Sequence, residues 1–214
     1  LVAAVGANPS PLPPRLVVSA QEIEAIAARL CLSSVNLPRR PLIGINPGAE
    51  YGPAKRWPQD RFAAVASELQ RRIDCDWVIF GGRGDVELAT AITAGIAGSA
   101  HTPVSGHPAR PLTVHNLAGR TSLRDLCAAL SLCRVLLTND TGPMHVAAAV
   151  GTPVIVPFGS TSPELTGPGL PTGKQHRLLT AAVPCRPCFQ RECPIDLRCL
   201  RQISVETVVD ELLR

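Results

Sequence analysis

Short, continuous apolar runs bounded by turn residues alternate along the chain with longer segments of helical period. The runs fall at 41–46 (Pro-Leu-Ile-Gly-Ile-Asn), 77–80, 113–117, 135–138, 153–157 and 176–180. Continuous rather than alternating apolarity suits strands buried on both faces, as in a parallel sheet. Between the runs, Phe62, Val65, Ala66 and Leu69 recur on one face of a helix that begins near Trp57-Pro58, where proline suits a first turn. Further helices are predicted over 85–97, 122–132, 142–150 and 204–213. An earlier one runs from Ser19 to about Leu30. Ser19 with Glu22, and Ser122 with Asp125, have the three-residue spacing of a capping box. This order of elements predicts an α/β fold, a Rossmann-like doubly wound parallel sheet with helices on both faces. No internal repeat is present, and residues 1–18 read as a linker.

Composition narrows the field. The 214 residues are 45% hydrophobic, enough for a real core, and 21 prolines with 17 glycines imply many defined turns rather than low complexity. The net charge of +4 suits contact with an anionic membrane surface but falls well short of a nucleic-acid-binding arm. At 3% aromatic residues the chain has almost nothing on which to stack bases, so nucleic acid is excluded as a partner. No apolar run approaches the ~18 residues that span a bilayer, and the first ten residues lack the basic start of a signal peptide. A soluble, cytoplasmic protein is expected. The start at Leu1, followed by Ala/Val-rich and Pro-rich stretches, suggests that further sequence lies upstream.

In doubly wound sheets, ligands bind beyond the carboxyl ends of the strands. Three loops there carry chemistry. After the first strand, residues 46–58 combine small residues, the cations Lys55 and Arg56, and a following helix whose positive end faces the loop, which describes an anion site. Trp57 reads as the packing residue that fixes this loop. After the fourth strand, Thr138-Asn-Asp-Thr-Gly-Pro-Met-His145 runs straight into a helix. Asp140 or Thr141 can cap it, Pro143 suits its first turn, and its free amides can cradle a second phosphate. His145 can face that phosphate or simply pack. After the second strand, Gly82-Arg-Gly84 begins like a dinucleotide fingerprint, but Glu87 stands where its last glycine belongs. Asp85 or Glu87 remains as a carboxylate for a ribose diol, with Asp85 equally suited to a plain helix cap.

Two matches are set aside. Residues 169–174 contain a Gly-Lys pair, but the spacing is one short of a P-loop and Gln175 replaces its Ser/Thr. Asp74-Cys-Asp76 is a literal Asp-x-Asp, yet it precedes the second strand, on the wrong side of the sheet. Of the cysteines, Cys31, Cys75, Cys127 and Cys133 are expected as buried apolar residues. Cys185, Cys188, Cys193 and Cys199 crowd one Pro-rich loop, a spacing compatible with a tetrathiolate zinc site without demanding one.

Several of these segments together carry a resemblance. Asn46-Pro-Gly-Ala, Lys55-Arg-Trp-Pro58, Gly81-Gly82 with Asp85, Leu117-Ala-Gly119 with Ser122-Leu123, Asn139-Asp-Thr-Gly-Pro-Met-His145 and Pro157-Phe-Gly-Ser-Thr161 resemble the family 9 glycosyltransferases, the bacterial lipopolysaccharide heptosyltransferases. The similarity runs from about residue 41 to the end. It implies the carboxyl-terminal half of a GT-B fold, with residues 41–214 as the nucleotide-sugar-binding domain and 1–40 as a linker and helix leading from an amino-terminal domain. It implies an inverting, metal-independent transfer of heptose from ADP-heptose to the lipopolysaccharide inner core, with no cofactor. By this resemblance Lys55 and Asp140 are the catalytic pair: Lys55 neutralises phosphate and Asp140 faces the heptose hydroxyls. Thr141, Gly142 and His145 hold the diphosphate, Glu87 in preference to Asp85 binds the ribose, and the backbone of Gly119, Arg120, Thr121 and Ser122 lines the adenine pocket. The family's general base is an aspartate of the amino-terminal half, outside these residues. Peripheral contact with the cytoplasmic face of the inner membrane fits the same picture. Two other readings stay open, a nucleotide-binding Rossmann-like module without transferase activity of its own and a zinc-stabilised interaction module.

Overall fold

The computed structural model describes residues 2–6, 8, 12–30, 40–98, 112–169 and 175–214. Six strands form one sheet: β1 (Leu42–Asn46), β2 (Asp76–Ile79), β3 (Val114–Asn116), β4 (Val135–Thr138), β5 (Val154–Phe158) and β6 (Arg177–Thr180). All neighbours are parallel, in the order β3-β2-β1-β4-β5-β6. The expected doubly wound sheet is present, with strand ends within a residue or two of the apolar runs. The order reverses direction between β1 and β4, whose register pairs Ile43 with Val135 and Asn46 with Thr138. Such a reversal leaves a crevice above the carboxyl ends of the two central strands.

The helices are α1 (Ala20–Arg29), α2 (Gln59–Gln70), α3 (Val86–Ala97), α4 (Leu123–Leu132), α5 (Gly142–Val150), α6 (Pro163–Thr166), α7 (Arg198–Arg201) and α8 (Val205–Leu213). Both predicted capping boxes form, Ser19 with Glu22 at α1 and Ser122 with Asp125 at α4. Helices α2, α3 and α8 cover one face of the sheet; α1, α4 and α5 cover the other. The period of two along each strand feeds both layers. Ile43 and Ile45, Trp77 and Ile79, and Val135 and Leu137 enter the first core with Phe62, Leu69, Ile92 and Val208. Val78, Phe80, Leu136, Val154 and Val156 enter the second with Ile26, Leu30, Leu130 and Met144. Helix α1, read from the sequence as part of the leading segment, is therefore packed into the second core.

Before β2, Arg40 lies 2.7 Å from Asp74 and 3.3 Å from Asp76. The Asp-x-Asp pair lies at the amino end of the sheet, as its place in the sequence implied, and there it is engaged by Arg40. Cys75, Cys127 and Cys133 are buried; Cys31, and all but the first residue of the 169–174 stretch, lie outside the described residues. Among the described residues, no helix is long and apolar enough to cross a membrane.

Candidate functional site

The loops after β1 and β4 meet at the reversal in strand order, and one side chain ties them together. Asn139, fully buried, donates from Nδ2 to the Pro47 carbonyl at 2.7 Å, and its Oδ1 accepts from the Trp57 amide at 3.0 Å. Asn46 donates to Thr138 Oγ1 at 3.4 Å beneath it. Trp57 is buried as expected, edge-on to Phe62 at 5.2 Å, with its indole N–H on the Ile203 carbonyl at 3.2 Å. Both ends of the 46–58 loop are therefore anchored in the core.

Within this frame Lys55 Nζ sits 2.7 Å from Asp140 Oδ2, at the end of a single 3₁₀ turn spanning Pro53–Lys55. The aspartate side chain is 4% exposed and the lysine 11%. The same carboxylate oxygen accepts from the hydroxyls of Thr161 at 2.6 Å and Thr166 at 2.9 Å. Asp140 is therefore not a helix cap. Thr141 takes the cap position of α5, in extended conformation and without a side-chain capping bond. Thr161 stands in a sequence motif without an assigned role, and Thr166 was not singled out from the sequence. Thr161 precedes α6 and Thr166 is its last residue, in the segment after β5, the next strand over from β4, so the strand order itself was the available signal.

Next along the chain from Asp140, Thr141 and Gly142 border a cleft of about 430 Å³ whose lining includes neither Lys55 nor Asp140. Its walls include Gly48 and Ala49 after β1, Gly81, Gly82 and Asp85 after β2, Thr121 and Leu126 at α4, and Thr141 and Gly142 at α5. Of the residues singled out in the sequence, Thr121, Thr141 and Gly142 line this cleft, whereas Lys55, Glu87, Gly119, Arg120, Asp140 and His145 are not part of its lining. A Cβ built on Gly142 meets nothing within 4 Å, so the first turn of α5 is open to an approaching anion. Asp85 lies on the wall, its carboxylate accepting from the Gly82 amide at 2.9 Å rather than capping α3. Glu87 is exposed on the first turn of α3. His145, Gly119 and Arg120 are exposed as well; the Arg120 carbonyl accepts from Arg29 of α1 at 2.5 Å.

The cysteine-bearing segment braces the lysine's turn. The Ala54 amide donates to the Arg191 carbonyl at 3.0 Å, and Tyr51 Oη donates to the Phe189 carbonyl at 2.8 Å. Gly52, at φ +156°, permits this approach: a Cβ there would stand 2.4 Å from the Arg191 carbonyl oxygen. The Tyr51 ring lies 4.9 Å from Lys55 Nζ and 5.3 Å from the Arg191 guanidinium. Cys185, Cys188, Cys193 and Cys199 all line a neighbouring cavity of about 230 Å³. Among the described residues, no group of three or more His, Cys, Asp or Glu side chains is arranged to hold a metal ion.

A parallel sheet with a cleft over its strand-order reversal and the Lys55–Asp140 pair near it is the arrangement in which doubly wound α/β folds bind ligands. Residues 9–198 match glycosyltransferase family 9 (heptosyltransferase), and the chain belongs to that family. Among its relatives, lipopolysaccharide heptosyltransferase 2 of Salmonella typhimurium is 36% identical over 78% of this chain, and that of Escherichia coli is 37% identical over 78%. The structure of E. coli ADP-heptose lipopolysaccharide heptosyltransferase II superposes on 98% of this chain at 31% identity and a TM-score of 0.75, covering 55% of that structure. The chain spans about half the length of the relatives it matches, 44% of each of these two heptosyltransferases.

Proposed function

We propose that this chain is the nucleotide-sugar-binding portion of a heptosyltransferase that moves heptose from ADP-heptose to the lipopolysaccharide inner core. In this reading residues 41–214 form the carboxyl-terminal domain of a GT-B enzyme and residues 1–40 lead into it. The Lys55–Asp140 pair at the crevice carries the proposal. It sets a cation for phosphate and a carboxylate for sugar hydroxyls side by side, beside an open helix amino terminus. Its support comes from family membership and from the heptosyltransferases to which the chain is similar.

The chemistry follows from the charges. As an acceptor oxygen attacks the anomeric carbon, the bond to the diphosphate breaks and ADP leaves with growing negative charge. Lys55 and the amino end of α5 oppose that charge, stabilising the transition state more than the ground state. Thr141, Gly142 and His145 hold the diphosphate, Asp140 orders the heptose, and the backbone of Gly119, Arg120 and Thr121 borders the adenine. Glu87 takes the ribose, with Asp85 on the cleft wall as the second candidate. The positive net charge brings the protein to the anionic cytoplasmic face of the inner membrane, where its acceptor is built.

Calorimetric titration with ADP-heptose, ADP, NAD and a UDP-sugar tests the assignment. Preferential binding of ADP-heptose is expected, and tighter binding of NAD or the UDP-sugar would refute it. Sedimentation with anionic and neutral vesicles tests the membrane contact; equal sedimentation with both would remove it.

A further inference from the structure

The carboxylate of Asp140 is oversupplied with partners for a group with one ion-pair mate. Its Oδ2 receives Lys55, the Thr161 hydroxyl and the Thr166 hydroxyl at 2.7, 2.6 and 2.9 Å. Thr161 is 3% exposed, and its carbonyl accepts from Arg186 at 3.2 Å, which fixes its backbone. Thr166 has one hydroxyl proton and two acceptors in reach, Asp140 and the Ser162 carbonyl at 3.1 Å, the latter across a single turn of helix. One short segment thus brings both hydroxyls to one oxygen, Thr166 dividing its single proton between that oxygen and the Ser162 carbonyl.

This arrangement bears on a conflict in the site. If Lys55 is to oppose phosphate charge, it must give up part of its hold on Asp140. A buried carboxylate deprived of its cation is costly, by far more than the net value of one ordinary hydrogen bond. Hydrogen bonds to an ionised acceptor are the strong kind, and two of them disperse the charge that the lysine would otherwise carry alone. Resting on the nucleotide-sugar reading above, we propose that Thr161 and Thr166 are positioning residues that share the charge of Asp140 and so release Lys55 to the diphosphate. They act through the lysine and need not touch the ligand. With both hydroxyls gone, Asp140 keeps Lys55 for itself.

The test uses the Thr161→Val/Thr166→Val double variant, which keeps side-chain size, beside Thr161→Ser/Thr166→Ser, which keeps the hydroxyls. Acylation of Lys55 by an amine reagent, followed by peptide mass spectrometry, reads the lysine without any ligand. The valine variant is expected to slow it roughly five- to tenfold, the equivalent of one to two net hydrogen bonds, and the serine variant to restore it. ADP affinity should fall by a similar factor while adenosine, which has no phosphate, binds as before. In a Lys55→Ala background the valines should change ADP affinity by less than about twofold, because the coupling partner is gone. An unchanged or faster acylation in the valine variant would overturn the proposal, as would an equal ADP loss with and without Lys55. Slower acylation in a chain that binds neither ADP nor ADP-heptose would uphold the charge sharing and instead count against the nucleotide-sugar reading.

Discussion

Lys55 is held at 11% exposure by a carboxylate on one side and a tyrosine ring on the other, so its ammonium is positioned before any ligand arrives. Removing a charged hydrogen-bond partner of phosphate should cost about 1.5–3 kcal/mol, and Lys55→Ala should weaken ADP-heptose binding about ten- to a hundredfold by calorimetry. Unchanged affinity would take Lys55 out of the site. Asp140→Asn keeps the shape but removes the charge. ADP affinity should hold or improve as Lys55 is freed, while ADP-heptose loses its sugar contact; equal losses for both would argue against a heptose role. At this scale the sequence was legible wherever a residue type is tied to a position after a strand. The loops after β1 and β4 bring Lys55 against Asp140 and set Thr141 and Gly142 on the cleft wall. The role of Thr161 and Thr166 was not legible, because which loops face one another depends on strand order, and hydroxyls in a turn have many local uses. Of the two residues that could cap α5, Thr141 takes the position, and the Asp140 carboxylate instead finds a cation and two hydroxyls outside its own segment.

Elements report packing more faithfully than chemistry. Continuous apolar runs identified all six strands of the described residues, and serine caps identified the starts of α1 and α4. Short pieces such as α6 and α7 escaped notice, since four residues are too few to show a period. Gly159, just past β5, lets the turn carrying Lys55 lie against the strand. A Cβ there would stand 2.7 Å from the Ala54 carbonyl oxygen and 2.8 Å from Leu200. Gly159→Ala should therefore destabilise the fold by about 1–3 kcal/mol, an overpacking cost seen as a lower Tm. An unaltered Tm would mean that the turn yields freely. At the other edge, His176 accepts the Val154 amide through Nδ1 at 3.3 Å, and burial holds its pKa below the ordinary imidazole value. Burial lowers His115 likewise, against the opposing pull of Asp76. The folded protein keeps both neutral, whereas the unfolded chain takes up protons as pH falls through about 6.5. Their contribution is complete above that pH and is lost as pH drops from there toward the lowered folded values. Tm should fall between pH 7.5 and 5.5, and His176→Gln should shrink that fall; an identical fall would assign the effect elsewhere.

For the molecule as a whole, the sheet is a scaffold whose strand order is its functional feature. The two central strands, β1 and β4, pair residues 92 positions apart, and the Asn139 clasp closes over the same distance. Closing the chain over such a distance costs entropy that must be met before the pairing rewards it. The consequence is temporal. No partly folded form that lacks the β1–β4 pairing holds Lys55 against Asp140, so the chain acquires its affinity for a ligand only with its final core. In a refolding experiment, recovery of nucleotide binding should be no faster than recovery of the fluorescence of Trp57 and Trp77, both buried in that core. Binding that recovers first would place the site on a unit that folds by itself. A newly made chain would otherwise pass through its vulnerable stage unable to draw stability from its own ligand.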